Sequence, residues 1–84
     1  MSNEIIMYSA DWCSDCRRSK RLLDSLEVEY TLIDVENEPS GASKVLELTG
    51  GSQSIPVIVF SDGTHLVEPS DIDLKSKLIS LSII

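Results

Sequence analysis

Cys13 and Cys16 are the only two cysteines in this 84-residue chain. They stand two residues apart in Trp12-Cys13-Ser14-Asp15-Cys16, after a short apolar run and at the start of a basic, helix-like stretch. A Cys-x-x-Cys at a strand-to-helix junction reads as a redox pair. The thiolate, not the thiol, attacks disulfides. A helix N-terminus favours an anion, because its first N–H groups lack intrahelical partners and the macrodipole is positive there. Asp15 works against the thiolate: a carboxylate about 6 Å from Cys13 costs it about 1 kcal/mol at an effective dielectric of roughly 40 to 80. Arg17, one turn beyond Cys13, is expected to offset that cost, and Cys13 is expected to be exposed. Zinc is the competing use of such a pair. A structural zinc site needs four ligands, and the chain offers two cysteines and one histidine, so no metal site is expected.

The elements that must position the pair follow from apolar periodicity. Residues 4–8 read as a buried strand, and residues 9–12 as a turn. Residues 13–27 are helical, with Leu22, Leu23 and Leu26 on one face and Arg17, Arg18, Lys20 and Arg21 elsewhere. Residues 29–35 are a second strand with β-branched and aromatic content. A second helix begins at residues 37–40, buries Val45, Leu46 and Leu48, and ends at Gly50-Gly51. Residues 55–60 form a third strand, Asp62-Gly63 a tight hairpin turn, and residues 64–67 a fourth strand. Pro69-Ser70-Asp71 opens the last helix, with Ser70 and Asp73 spaced as a capping box and Ile72, Leu74, Leu78, Ile79 and Leu81 buried. His65 is expected to be ordinary surface. The order β-α-β-α-β-β-α is an α/β single domain, 1–84, with a four-stranded mixed sheet whose first two strands are parallel and last two a hairpin.

Composition bounds the partners. The net charge is −7, from 14 acidic and 7 basic residues. Four of those basic residues fall between positions 17 and 21, leaving the remaining surface strongly acidic, which argues against nucleic acid. The segment Met1-Ser2-Asn3-Glu4 has no long apolar region and is not read as a signal peptide, and no run reaches a membrane span. These features point to a reducing cytoplasm, where a cysteine pair is catalytic rather than structural.

The element order, the Cys-x-x-Cys after the first strand and the Ile55-Pro56 that opens the third resemble the thioredoxin fold in its minimal glutaredoxin form, over essentially the whole chain. The segments 8–13, 49–57, 60–64 and 69–70 resemble most closely the actinobacterial mycoredoxins, glutaredoxin-like proteins that work with mycothiol. That resemblance implies a thiol-disulfide oxidoreductase with Cys13 as nucleophile and Cys16 as resolving thiol. Pro56 would be cis and would bring the Ile55 backbone opposite Cys13. Ile55, Pro56, Ser70 and Asp71 would contact substrate on this resemblance. From the residues alone, Trp12 either walls the substrate groove or covers the sheet end, and Arg17 either serves the site or belongs to a solvated helix face. No cofactor is tightly bound on this reading; a low-molecular-weight thiol, mycothiol or glutathione, serves as co-substrate. Partners are oxidised or thiol-capped proteins, with a flavoprotein reductase as a further partner if the chain is instead a thioredoxin-like donor, for example to ribonucleotide reductase. A monomer is expected. An iron–sulfur cluster shared between two chains is the alternative of another class. Three departures bear on the thiol. Ala10 stands where glutaredoxins usually carry a lysine. Val67-Glu68-Pro69-Ser70-Asp71 replaces their Gly-Gly segment, and Glu68 would repel a glutathione carboxylate. Ser14-Asp15 replaces the usual pair containing tyrosine.

Overall fold

The computed structural model describes residues 4–84; residues 1–3, part of the segment not read as a signal peptide, lie outside the described residues. The chain runs β1 (Ile6–Ser9), α1 (Ser14–Ser25), β2 (Thr31–Asp34), α2 (Pro39–Thr49), β3 (Val57–Val59), β4 (His65–Val67) and α3 (Asp71–Ser80). This is the expected order; β2, β3 and β4 are shorter than expected, while β1 starts at Ile6 and runs on through Ser9, where the turn is expected to begin. The strands form one sheet in the order β2-β1-β3-β4. β1 pairs parallel with β2 and antiparallel with β3, and β3 pairs antiparallel with β4.

Strand alternation splits the interior into two cores. Met7 and Ile58 point to one face, where they meet Leu23 of α1 and Leu74 and Leu78 of α3. Their neighbours Tyr8 and Val57 point to the other, where they meet Val45 of α2. Cys13 and Cys16 belong with this second cluster, although Leu23 on the same helix belongs with the first. α1 therefore reaches from one core to the other along a single buried face of Cys16, Ser19 and Leu23.

Local chemistry sets the element ends. α1 stops where Glu27 turns left-handed at φ 57°, and the Val28 N–H reaches back to the Leu23 carbonyl. α2 has Pro39 in its first turn and stops at Gly50, which supplies the left-handed φ of 77°. In the hairpin, Asp62 accepts from the N–H and hydroxyl of Thr64, and Gly63 carries the positive φ. Ser70 caps α3 by accepting from the Asp73 N–H at 3.1 Å, which is one half of the capping box its spacing predicts; the return bond from the Ser70 N–H to the Asp73 carboxylate is not made.

Several burial expectations are corrected. Ile72 and Ile79 are 77% and 56% exposed, because α3 buries only the stripe through Leu74 and Leu78. Leu46 is also exposed, since α2 turns Val45 rather than Leu46 to the sheet. His65 is half-buried, and its Nε2 lies 3.0 Å from the Leu48 carbonyl near the end of α2. No helix among the described residues is long and apolar enough to cross a membrane.

Candidate active site

Cys13 is the N-cap of α1. Its backbone is extended, with φ −83° and ψ 114°, and its Sγ accepts the N–H of Cys16 at 3.1 Å. Sulfur thus takes the place that a Ser or Asp oxygen takes in an ordinary cap. A charge developing on that sulfur meets an N–H already aimed at it, at the positive end of the helix. On its other side Sγ donates to the Ile55 carbonyl at 3.8 Å, across 42 residues of sequence. The Ile55–Pro56 peptide bond is cis.

The expectation of an exposed Cys13 is corrected: its relative exposure is 7%, and that of Cys16 is 3%. Cys13 becomes a cap by folding its side chain back over the first turn, and that covers it. Both thiols are free. Burial is the main cause that pushes the Cys16 thiol up to about 12, with the neighbouring Cys13 sulfur and Asp15 adding to it. Cys16 is therefore a protonated thiol wherever the protein is folded and near neutrality.

A shallow groove of about 380 Å³ opens over Cys13, lined by Trp12, Ser14, Asp15, Gln53, Ser54, Ile55 and Glu68. Trp12 is 67% exposed and forms a wall. A larger depression of about 1020 Å³, between the end of α1 and the start of β2, contains neither cysteine. The groove's far side is the loop before α3. There Glu68 adopts a left-handed φ of 47°, and its N–H donates to the Pro56 carbonyl at 2.8 Å. This bond ties the loop to the residue that precedes β3.

Of the residues expected to contact substrate, the structure brings Trp12, Cys13 and Ile55 to one groove, with Pro56 buried directly behind Ile55. Ser70 and Asp71 lie elsewhere in the loop-to-helix joint: Ser70 caps α3, and Asp71 faces Arg18. Arg17 points to solvent. The cation that answers Asp15 is Arg18. Its guanidinium lies 3.2 Å from the Asp15 carboxylate and 3.6 Å from that of Asp71, and it donates to the Pro69 carbonyl at 3.2 Å. The reason is helical geometry: residues three apart share a face, so position 18 stands over position 15. That spacing was available in the sequence and favours Arg18 over Arg17. Glu68 has no ion pair among the described residues. No three side chains of His, Cys, Asp or Glu converge into a metal-ligand group among them either.

A capped sulfur under a groove, a second protonated thiol one turn away and a backbone carbonyl facing the first sulfur are arranged for exchange between thiols and disulfides. The glutaredoxin family model matches residues 5–66. The chain is 34% identical over 82 residues to mycoredoxin 1 of Corynebacterium glutamicum, covering 98% of this chain and all of that one. Among solved structures, a glutaredoxin from Archaeoglobus fulgidus superposes with a TM-score of 0.73 at 28% identity, covering 88% of this chain and 84% of that one. The NrdH-redoxin of Escherichia coli, 23% identical, shares the fold with the same TM-score over 89% of this chain and 93% of that one. The chain belongs to the glutaredoxin family and is a thiol-disulfide oxidoreductase of thioredoxin fold.

Proposed function

We propose that this oxidoreductase removes low-molecular-weight thiols from capped proteins by a route through Cys13, with a mycothiol-like thiol as reductant in preference to glutathione. The Cys13 thiolate attacks the small-thiol sulfur of a protein mixed disulfide. The old S–S bond breaks, the target leaves as a thiolate, and Cys13 now carries the small thiol. A second small-thiol thiolate then attacks that sulfur and leaves as the symmetric small-thiol disulfide, returning Cys13 as thiolate. Alternatively Cys16 gives up its proton and attacks Cys13, releasing the small thiol and leaving a Cys13–Cys16 disulfide.

The observation that carries this reading is the Cys16 N–H on the Cys13 sulfur, at the floor of a groove faced by the Ile55 carbonyl. The protonated state of Cys16 favours the first ending over the second, because only a thiolate attacks. The choice of thiol rests on charge. Ala10 leaves no cation for a glutathione carboxylate, and Glu68 adds an unpaired anion to the groove wall. The similarity to mycoredoxin 1 points the same way. The reducing cytoplasm is the setting this chemistry needs.

The test is reduction of a mixed-disulfide substrate with mycothiol, glutathione, or thioredoxin reductase plus NADPH as reductant. Turnover with mycothiol well above that with glutathione is expected. Turnover only with the flavoprotein reductase overturns the proposal in favour of a thioredoxin-like donor. Cys16→Ser retains activity by the first ending, and Cys13→Ser abolishes it.

A further inference from the structure

The Ser19 hydroxyl is the one buried side-chain polar atom among the described residues that has no hydrogen-bond partner. The residue is completely buried. Within a helix a serine usually returns its hydroxyl to a carbonyl of the preceding turn, and this one does not. Alanine at the same place would suit the helix better and leave nothing unsatisfied. A polar atom left idle in the resting protein finds its use where another state supplies a partner.

The candidate partner is Cys16. Ser19 follows it by three residues on the buried face of α1, so their Cβ atoms are neighbours on one side of the helix. Helical side chains lean toward the N-terminus, so the Ser19 hydroxyl leans toward the turn that carries Cys16. Cys16 is buried and protonated, and it becomes an anion only when it attacks. That anion forms in an apolar cluster with Val45, Ile55 and Val57, away from water. A charge in such surroundings needs a donor.

We propose that Ser19 is the hydrogen-bond donor to the Cys16 thiolate during resolution of a disulfide on Cys13. The inference rests on the reading of Cys16 as resolving thiol. In the resting protein the hydroxyl waits without a partner. As Cys16 loses its proton to solvent base, the Ser19 side chain turns to bring its hydroxyl to the sulfur and holds the charge until the new S–S bond to Cys13 forms and the small thiol departs. Ser19 takes no part in the first attack, which belongs to Cys13.

A neutral dipyridyl disulfide separates the two steps. The Cys13 thiolate attacks it and releases one pyridinethione, leaving Cys13 joined to the other. The Cys16 thiolate then attacks Cys13, forms the Cys13–Cys16 disulfide and releases the second. Each release is followed by its absorbance in a stopped-flow instrument across a pH series. In Ser19→Ala the first phase is expected to be unchanged. The second should slow about tenfold, the equivalent of one lost hydrogen bond to a charged sulfur, and its pH profile should move to higher pH. Ser19→Thr, which keeps the hydroxyl, should restore both rate and profile. The unchanged first phase reports that the variant is folded. A second phase of wild-type rate and pH profile in Ser19→Ala overturns the inference. If the wild-type protein has no second phase, or Cys16→Ser keeps one, the underlying reading of Cys16 fails instead.

Discussion

The Arg18 guanidinium holds the Asp15 carboxylate at 3.2 Å, one turn along the same helix. It also ties α1 to α3 through Asp71 and the Pro69 carbonyl. Without it Asp15 would stand uncompensated beside Cys13. In Arg18→Ala the Cys13 reaction with a neutral disulfide is expected to slow about threefold at low ionic strength and less at high salt. Adding Asp15→Asn should return the rate to that of wild type. Stability should change by no more than about 1 kcal/mol, because both partners of this ion pair are nearly half exposed. Stopped-flow rates over a salt series check the first part, and urea denaturation the second.

The two thiols should differ sharply toward an alkylating reagent that reads thiolate. Burial raises the Cys16 thiol to about 12, so folding keeps it protonated. In Cys13→Ser at pH 8, iodoacetamide should still modify Cys16 at least about tenfold more slowly than it modifies a free cysteine, because burial, the largest cause of the raised pKa, remains after the Cys13 sulfur is gone. Unfolding in urea should bring it to the ordinary rate. The sign carries over to stability. A group whose folded pKa is raised stabilises the fold fully below its unfolded pKa, here about 9, and loses that contribution as pH climbs toward 12. Tyr30, whose hydroxyl donates to Asp24 and whose pKa is also raised to about 12, acts in the same direction from about 10 upward. The reduced protein is expected to hold its denaturation midpoint from pH 7 to 9 and to lose it above. A midpoint that rises over that upper range contradicts the assignment.

What the sequence discloses follows the range of the forces involved. The spacing of Cys13 and Cys16, the Ser70–Asp73 cap and the Asp62-Gly63 turn are local, and each appears where its residues predict. The parallel β1–β2 pair and the β3–β4 hairpin follow from connection length, whereas the antiparallel β1–β3 pairing that joins them is not legible in the sequence. Packing between elements is less legible. Ile72 and Leu74 are both apolar and two residues apart, yet one is exposed and the other buried, because only the contact with α1 and the sheet decides which stripe of α3 faces inward. Cys13 looks like a surface nucleophile until its sulfur is seen folded back onto the Cys16 N–H. The idle hydroxyl of Ser19 is visible only as a missing bond.

Gly41 tests the α2 side of the sheet. A Cβ there would lie 2.8 Å from Cγ2 of Ile33, a branched methyl on a strand rather than the end of a flexible chain. Glycine-to-alanine changes within helices usually stabilise by about 1 kcal/mol. Here the overlap should reverse the sign, and Gly41→Ala is expected to destabilise by about 1–3 kcal/mol. Ile33→Val keeps that methyl and should not rescue it, whereas Ile33→Ala should partly do so. Urea midpoints of the single and double variants give the answer, and a more stable Gly41→Ala would show that the strand yields freely.

Glu68 joins a backbone question to a specificity question. Its φ of 47° is costly for a residue with a Cβ, and its N–H is committed to the Pro56 carbonyl, so the loop holds its carboxylate at the groove in that conformation. Glu68→Gly keeps the N–H and removes the Cβ, and is expected to stabilise by about 0.5–1 kcal/mol. Glu68→Gln keeps the Cβ and removes only the charge, so its stability should stay close to wild type. Both should raise glutathione-dependent turnover about three- to fivefold, while turnover with mycothiol, which offers no carboxylate to repel, changes little. The pair separates strain from charge. If Glu68→Gln leaves the ratio of the two thiols where it was, the carboxylate does not set the proposed choice of thiol, and Ala10 with its missing cation is left to account for it.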